Sequence, residues 1–275
     1  MAFDRRRGAF LGSLFVLAAL ALRADAASTV TGLTVALHAH HAPAIVLHHR
    51  DRFATSSNWS GYAVTGATGS VTDVQGSWIV PAVTCSGGPN QYASMWVGID
   101  GFNSNTVEQT GTDSDCQNGA PTYYAWFEFY PHPAFLINNF PVRPNDMMSA
   151  DVTYDPSRQR FTVTLVNHST GQTFSTSTKV GNARRSSAEW IVEAPSGSGG
   201  ILPLANFGTA SLGQDYTGVG PTSYATVSGK TGAIGAFSSN VAITMLGNGG
   251  ATKASPSLLT SDGTSFTDTW DSAGP

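Results

Sequence analysis

The stretch RFTVTLVNHSTGQTFSTSTKV, Arg160 to Val180, decides the fold class. Phe161, Val163 and Leu165 alternate with Thr162 and Thr164, a period of two that puts apolar groups on one face of a strand and hydroxyls on the other. The segment NHSTG, Asn167 to Gly171, has turn composition, and TFSTSTKV resumes extended character after it. The predicted unit is a β-hairpin with one half-buried face.

Outward from this hairpin the same texture repeats. GSWIVPAV, ASMWVGID, YYAWFEFYP, MMSADVTYD, AEWIVEA, VAITML and SFTDTW are short β-branched and aromatic runs between Gly, Pro, Asn and Asp. No window carries a sustained helical stripe, internal repeat or nucleotide-binding glycine motif. Many short antiparallel strands predict an all-β fold, a sandwich or a barrel.

The chain has 275 residues, 41% hydrophobic, enough for a sizeable core. Only 12% are charged, about half the usual ~25%. Lys and Arg number 14 against 18 Asp and Glu, a net charge of −4. Beyond Ser56 the imbalance widens to eight basic against fifteen acidic residues. Few cations limit positive self-repulsion at low pH, which fits an acidic workplace; a neutral secreted protein rich in Ser and Thr fits equally well. The acidic balance argues against a nucleic-acid partner.

Residues 1–26 read as a secretory signal: basic MAFDRRR, apolar GAFLGSLFVLAALAL, then the small-residue site ADA. The apolar run is short for a membrane span, so a secreted, extracellular protein free of the membrane after cleavage is expected. Cys85 and Cys116 in an exported chain suggest one disulfide, worth about 3 kcal/mol by chain entropy. Residues 27–55 hold five of the seven histidines and read as a poorly ordered pro-segment or linker. Residues 56–275 form the expected domain, a monomer.

Usual catalytic sets are missing: there is no HExxH, G-x-S-x-G or D[ST]G motif. His132 and His168 fall in loops. What remains is carboxylates on strands: Asp100, Glu128, Glu189 and Glu193. In SSAEWIVEAP, Ser186 to Pro195, Glu189, Ile191 and Glu193 share one face and Trp190 and Val192 the other. Tyr124, Trp126, Glu128 and Tyr130 share a face, as do Trp96, Gly98 and Asp100. Spacing alone leaves Glu189 and Glu193 equal.

In order along the chain, SSNWSGYAV, GSWIVPAV, MWVGIDG, EQTG, AWFEFYP, AEWIVEAP and LANFGTA resemble the glutamic peptidases, or eqolisins. The likeness spans about Ser56 to Trp270. It implies a concanavalin-like antiparallel β-sandwich of two packed sheets and a secreted, acid-acting endopeptidase. Such an enzyme is made as a pro-enzyme, insensitive to pepstatin, and free of metal and cofactor. It implies a catalytic pair of Gln109, in Gln-Thr-Gly, and Glu189, opening Glu-Trp-Ile. Trp96, Asp100, Trp126 and Glu128 would support the site or bind substrate, and Glu193 is read as structural. Two departures stand out: Tyr124 where the family often has aspartate, and a longer 109–124 segment holding Cys116.

Peptide hydrolysis without metal or nucleophilic side chain needs a base for water, a donor for the oxyanion and an acid for the leaving amine. A glutamate and a glutamine can supply all three. The substrates would be polypeptides, with the pro-segment an intramolecular mask. Its histidines, Arg50 and Arg52 would pair with acids of the domain, and YPHPAFLINNFPV, Tyr130 to Val142, would form a flap. Two other readings fit an aromatic-lined sandwich face: a carbohydrate-binding module, or a glycosidase using Glu128 and Glu189.

Overall fold

The computed structural model describes residues 33–36 and 39–274, together with Met1. The predicted signal, residues 1–26, lies outside that described part apart from Met1. Nearly every element is a strand. The front sheet runs, in spatial order, β1 (Leu33–Ala36), β9 (Phe135–Ile137), β8 (Ala120–Tyr130), β7 (Val107–Gln117), β6 (Ser94–Ile99), β13 (Ser187–Glu193), β4 (Trp59–Thr65) and β19 (Asn240–Leu246). β3 (Phe53–Ser56) lies parallel to β19, and β2 (Val46–Arg50) pairs with β3.

The back sheet is reached through β20 (Thr252–Pro256), which pairs with the end of β19. It continues through β21 (Phe266–Trp270), β16 (Thr209–Leu212), β5 (Val71–Ile79), β10 (Met147–Asp155), β11 (Arg160–Asn167) and β12 (Gln172–Thr178). β17 (Tyr224–Val227) pairs with the first half of β5 and with β18 (Lys230–Ala233). A separate small hairpin joins β14 (Ser196–Gly197) to β15 (Gly200–Ile201).

The hairpin read first from the sequence is β11–β12, closed through Asn167 opposite Gln172. Phe161, Val163 and Leu165 are fully buried, each worth about 1.5–3 kcal/mol of transfer free energy. They join one core between the sheets with Val97, Phe127, Trp190 and Val192 from the front. Trp190 reaches across to donate its indole N–H to the Gln75 carbonyl at 2.8 Å. Gly76 makes room for that ring, since a Cβ there would stand 2.8 Å from Trp190 Cδ1. The architecture is an antiparallel sandwich, one of the two all-β forms the strand pattern allows and the one the family resemblance implies.

Three expectations change. Residues 46–56 are not a loose linker: they form β2 and β3 and hydrogen-bond into the front sheet. The Tyr130–Val142 segment is not a free flap. Its β9 pairs with β8, and Ile137, Phe140 and Val142 are buried in the core, because apolar side chains of that size gain more from burial than from covering a cleft. Arg50 pairs with exposed Asp51, and Arg52 donates to Asn240 Oδ1 at 2.6 Å, so neither reaches the acids of the site. Cys85 and Cys116 are bonded, with Cα atoms 5.5 Å apart. Among the described residues no helix is long and apolar enough to cross a membrane.

Candidate active site

The outer face of the front sheet carries the candidate residues in cross-strand rows. One row is Glu189–Gly98–Gln109–Glu128, on β13, β6, β7 and β8. The next is Ile191–Trp96–Gly111–Trp126, and the third Glu193–Ser94–Asp113–Tyr124. Gly111 is required beside Trp96, because a Cβ there would stand 2.4 Å from the Met95 carbonyl oxygen. The Trp96 indole lies with its benzo edge over Gly98, where a Cβ would be 2.9 Å from Cζ3. Its N–H points the other way and donates to Glu193 Oε2 at 2.8 Å. Trp59 packs edge-on against Trp96 with ring centroids 4.8 Å apart.

Residues 39–43 fill the groove over these rows. His40 makes an antiparallel bridge with Ser196, donating N–H to its carbonyl at 2.8 Å and accepting from its N–H at 2.9 Å. The His41 N–H donates to Glu128 Oε2 at 2.9 Å, and Gln109 Nε2 donates to the His41 carbonyl at 2.5 Å. The His41 ring stacks on Trp126 at 3.5 Å, tilted only 4°. Its Nδ1 lies 3.5 Å from Glu193 Oε2 and its Nε2 3.9 Å from Asp113 Oδ1. Trp59 Nε1 donates to the Ala42 carbonyl at 3.0 Å. Beyond Ala39 the groove continues into an open pocket of about 410 Å³ bordered by Tyr92, Tyr124 and Leu202.

Gln109, Glu128 and Trp126 therefore come together as expected of neighbours, with Glu193 and Trp96 beside them. Glu189 does not join them. It is fully buried, and its charged neighbours are Asp100 and Glu108. Neither of its carboxyl oxygens makes a well-formed hydrogen bond. Asp100 caps the end of β6 rather than lining the groove. It accepts from the Arg185 N–H at 2.6 Å and the Ser186 N–H at 2.8 Å, and so ties β6 to the entry of β13.

Burial dominates the electrostatics. It pushes Glu193 well above its ordinary value, and the nearby acids Glu128 and Asp113 add to this, against the Trp96 and Trp59 donors. Glu128 is raised to about 7, mainly by burial, against hydrogen bonds from His40 and His41. Asp113 is raised to about 6, again by burial. His41, fully enclosed and next to His40, is pushed well below its ordinary value. Burial therefore favours the uncharged form of each of these groups in the filled groove.

Tyr124 replaces the family's aspartate without breaking the acid cluster. Its hydroxyl lies 2.8 Å from Asp113 Oδ2 and 2.8 Å from Asp115 Oδ2. A phenol has one proton to donate, so one of the two carboxyls must hold a proton and donate back. Asp113 and Asp115 are thus linked through Tyr124, with one proton beyond the phenol's own held between them.

Sequence reasoning missed Asp113 and Trp59 as site residues; it expected the pro-segment histidines to pair with acids, as His40 and His41 do, without singling out His41. Trp59 stood in the quoted motif SSNWSGYAV, and Asp113 lies one alternation step past Gly111, so both were reachable from strand parity. Nothing local marked His41 apart from its four histidine neighbours.

The profile of the Peptidase A4 family matches residues 57–259. The chain is 32% identical over 180 residues to aspergillopepsin-2 of Aspergillus niger, covering 57% of this chain and 62% of that protein. It is 35% identical over 143 residues to scytalidopepsin B of Scytalidium lignicola, covering 50% of this chain and 51% of that protein. The matched region thus spans less than two thirds of either relative. The fold is similar to that of scytalido-glutamic peptidase solved with a transition-state analog inhibitor: TM-score 0.63, 24% identity, 78% of this chain and 98% of that one. With a family match over most of the β-sandwich, this chain belongs to the peptidase A4 family, the glutamic peptidases or eqolisins.

Proposed function

We propose that the protein is a secreted, acid-acting endopeptidase whose catalytic pair is Gln109 and Glu193, with residues up to His41 serving as an intramolecular mask. Glu193 here takes the part that the sequence reading gives Glu189. The observation that carries this reading is the seating of His41. A peptide carbonyl accepts a hydrogen bond from the Gln109 amide while the same residue faces the Glu193 carboxyl. An extended peptide in the groove is what an endopeptidase must bind.

The chemistry follows from these groups. Water between Glu193 and a bound carbonyl carbon loses a proton to the Glu193 carboxylate as it attacks. The Gln109 N–H donates to the developing oxyanion, a contribution of about 3 kcal/mol for one such donor. Glu193 then delivers its proton to the leaving nitrogen. The Trp96 N–H on Glu193 favours the ionised form, and the amide of Gln109 does not titrate in acid. With the groove filled, burial raises the Glu193 pKa, so the docked segment blocks the site to other substrates and leaves its base only a small ionised fraction. Departure of the segment opens the groove and enlarges that fraction. The Cys85–Cys116 bond fits an oxidising compartment.

The test is digestion of a denatured protein in acid. Gln109→Ala and Glu193→Gln should each abolish turnover while the folded β signal persists. Normal digestion by Glu193→Gln would remove Glu193 from the mechanism.

A further inference from the structure

We infer that the peptide bond between His41 and Ala42 is the one this protein cuts in itself. The inference rests on the Gln109–Glu193 reading above. Residues 40–43 are held on both sides of that bond, as a substrate would be. Upstream, His40 bridges Ser196 through backbone hydrogen bonds, and the His41 ring is enclosed against Trp126. Downstream, Trp59 Nε1 holds the Ala42 carbonyl and Asn58 Nδ2 the Pro43 carbonyl at 3.1 Å.

The carbonyls decide which bond lies in position. The His40 oxygen is taken by the Ser196 N–H and the Ala42 oxygen by Trp59. Only the His41 oxygen of the three accepts from Gln109. Cleavage is a hydrolysis by solvent water. The water oxygen bonds to the His41 carbonyl carbon and one of its protons passes to Glu193. The oxyanion is held by Gln109. The bond from carbon to the Ala42 nitrogen then breaks as Glu193 delivers its proton there. The products are a segment ending in a His41 carboxyl and a new amine at Ala42. Residues from Val46 onward stay, because β2 and β3 are part of the sheet. Among the described residues, the upstream piece retains its contacts at residues 39–41 and the β1–β9 pairing.

The experiment uses the purified full chain, brought from neutral pH to about pH 4 over a ~100-fold range of protein concentration, because a bond docked within its own chain is cut in a first-order step. Intact mass and N-terminal sequencing read the product, with added denatured protein as a second readout. A new N-terminus at Ala42, formed at a rate independent of concentration and lost in Glu193→Gln, is the expected result. His41→Gly, which leaves the catalytic pair intact, should slow the step at least ~10-fold by removing the stacked ring. Digestion of added protein with the N-terminus elsewhere, or with a rate that scales with concentration, overturns this inference and leaves the peptidase reading standing. An Ala42 terminus in Glu193→Gln also overturns it. Absence of both self-cleavage and digestion overturns the two together.

Discussion

Gln109 and Glu189 stand in one cross-strand row with only Gly98 between them, yet their side chains meet different partners. The Trp96 ring lies over Gly98. Gln109 turns to Glu128 and the His41 carbonyl, whereas Glu189 is closed in with Asp100 and Glu108. Shared facing on a strand does not mean a shared site when a large ring is interposed.

The two glutamates of β13 should therefore separate cleanly by mutation. Glu193→Gln is expected to lower kcat by at least ~10³-fold, in the range of a lost base or oxyanion donor. Glu189→Gln replaces a buried carboxyl that burial already holds protonated by a neutral isostere. It should leave kcat within about threefold and raise or preserve Tm near neutral pH. Steady-state kinetics and thermal melts on both variants decide the assignment.

Gly98→Ala tests the covering ring. The new methyl would meet Trp96 Cζ3 at 2.9 Å and Gln109 Cβ at 3.1 Å. Overpacking of this kind costs about 1–3 kcal/mol. Displacing the indole also disturbs its hydrogen bond to Glu193, so activity should fall more than stability. Comparing Tm with kcat/KM separates the two effects.

Stability should be higher in acid than at neutral pH. Glu128, Asp113 and Asp151 are raised to about 7, about 6 and about 7 by burial. A carboxyl whose folded pKa is raised contributes stability that is complete below its unfolded value and is lost as pH climbs through the folded one. His41 acts oppositely, since its lowered folded pKa removes stability as pH falls below the ordinary histidine value. The acids outnumber it. Tm should drop by roughly 5–10 °C between about pH 4.5 and 7.5, followed by calorimetry. A flat or rising profile would contradict the burial of these groups.

Tyr124→Phe removes the hydroxyl between Asp113 and Asp115. Two buried carboxyls then lose their common partner, at a cost of about 1–3 kcal/mol. The acid limb of the activity–pH profile should shift as well, because the shared proton loses its bridge. A stability loss with no shift would make Tyr124 structural only.

Reducing the Cys85–Cys116 bond should cost about 3 kcal/mol. The bond anchors the end of β7 to the loop after β5. Chemical denaturation with and without reductant measures it.

Strands were legible where apolar residues alternate, as at Phe161, Val163 and Leu165. β7 was not among the predicted strands. Residues Glu108 to Asp115 are all buried and almost all polar or charged, so the strand that carries Gln109 has no hydrophobic period to find. Its burial comes from Trp96, Trp126 and the residues 39–43 that cover it, which are distant in sequence.

What the sequence by itself determined is the class of fold, the disulfide partners, the family and part of the list of acids. These depend on local periodicity, a count of two cysteines and ordered motifs. Only the tertiary structure decided that Glu193, and not Glu189, meets the same His41 that Gln109 holds, and that His41 lies in the groove. Glu189 and Glu193 have the same parity on one strand, so no local rule distinguishes them. Their surroundings are built by β6, β7, β8 and an N-terminal segment, and side-chain environment is a property of those long-range contacts.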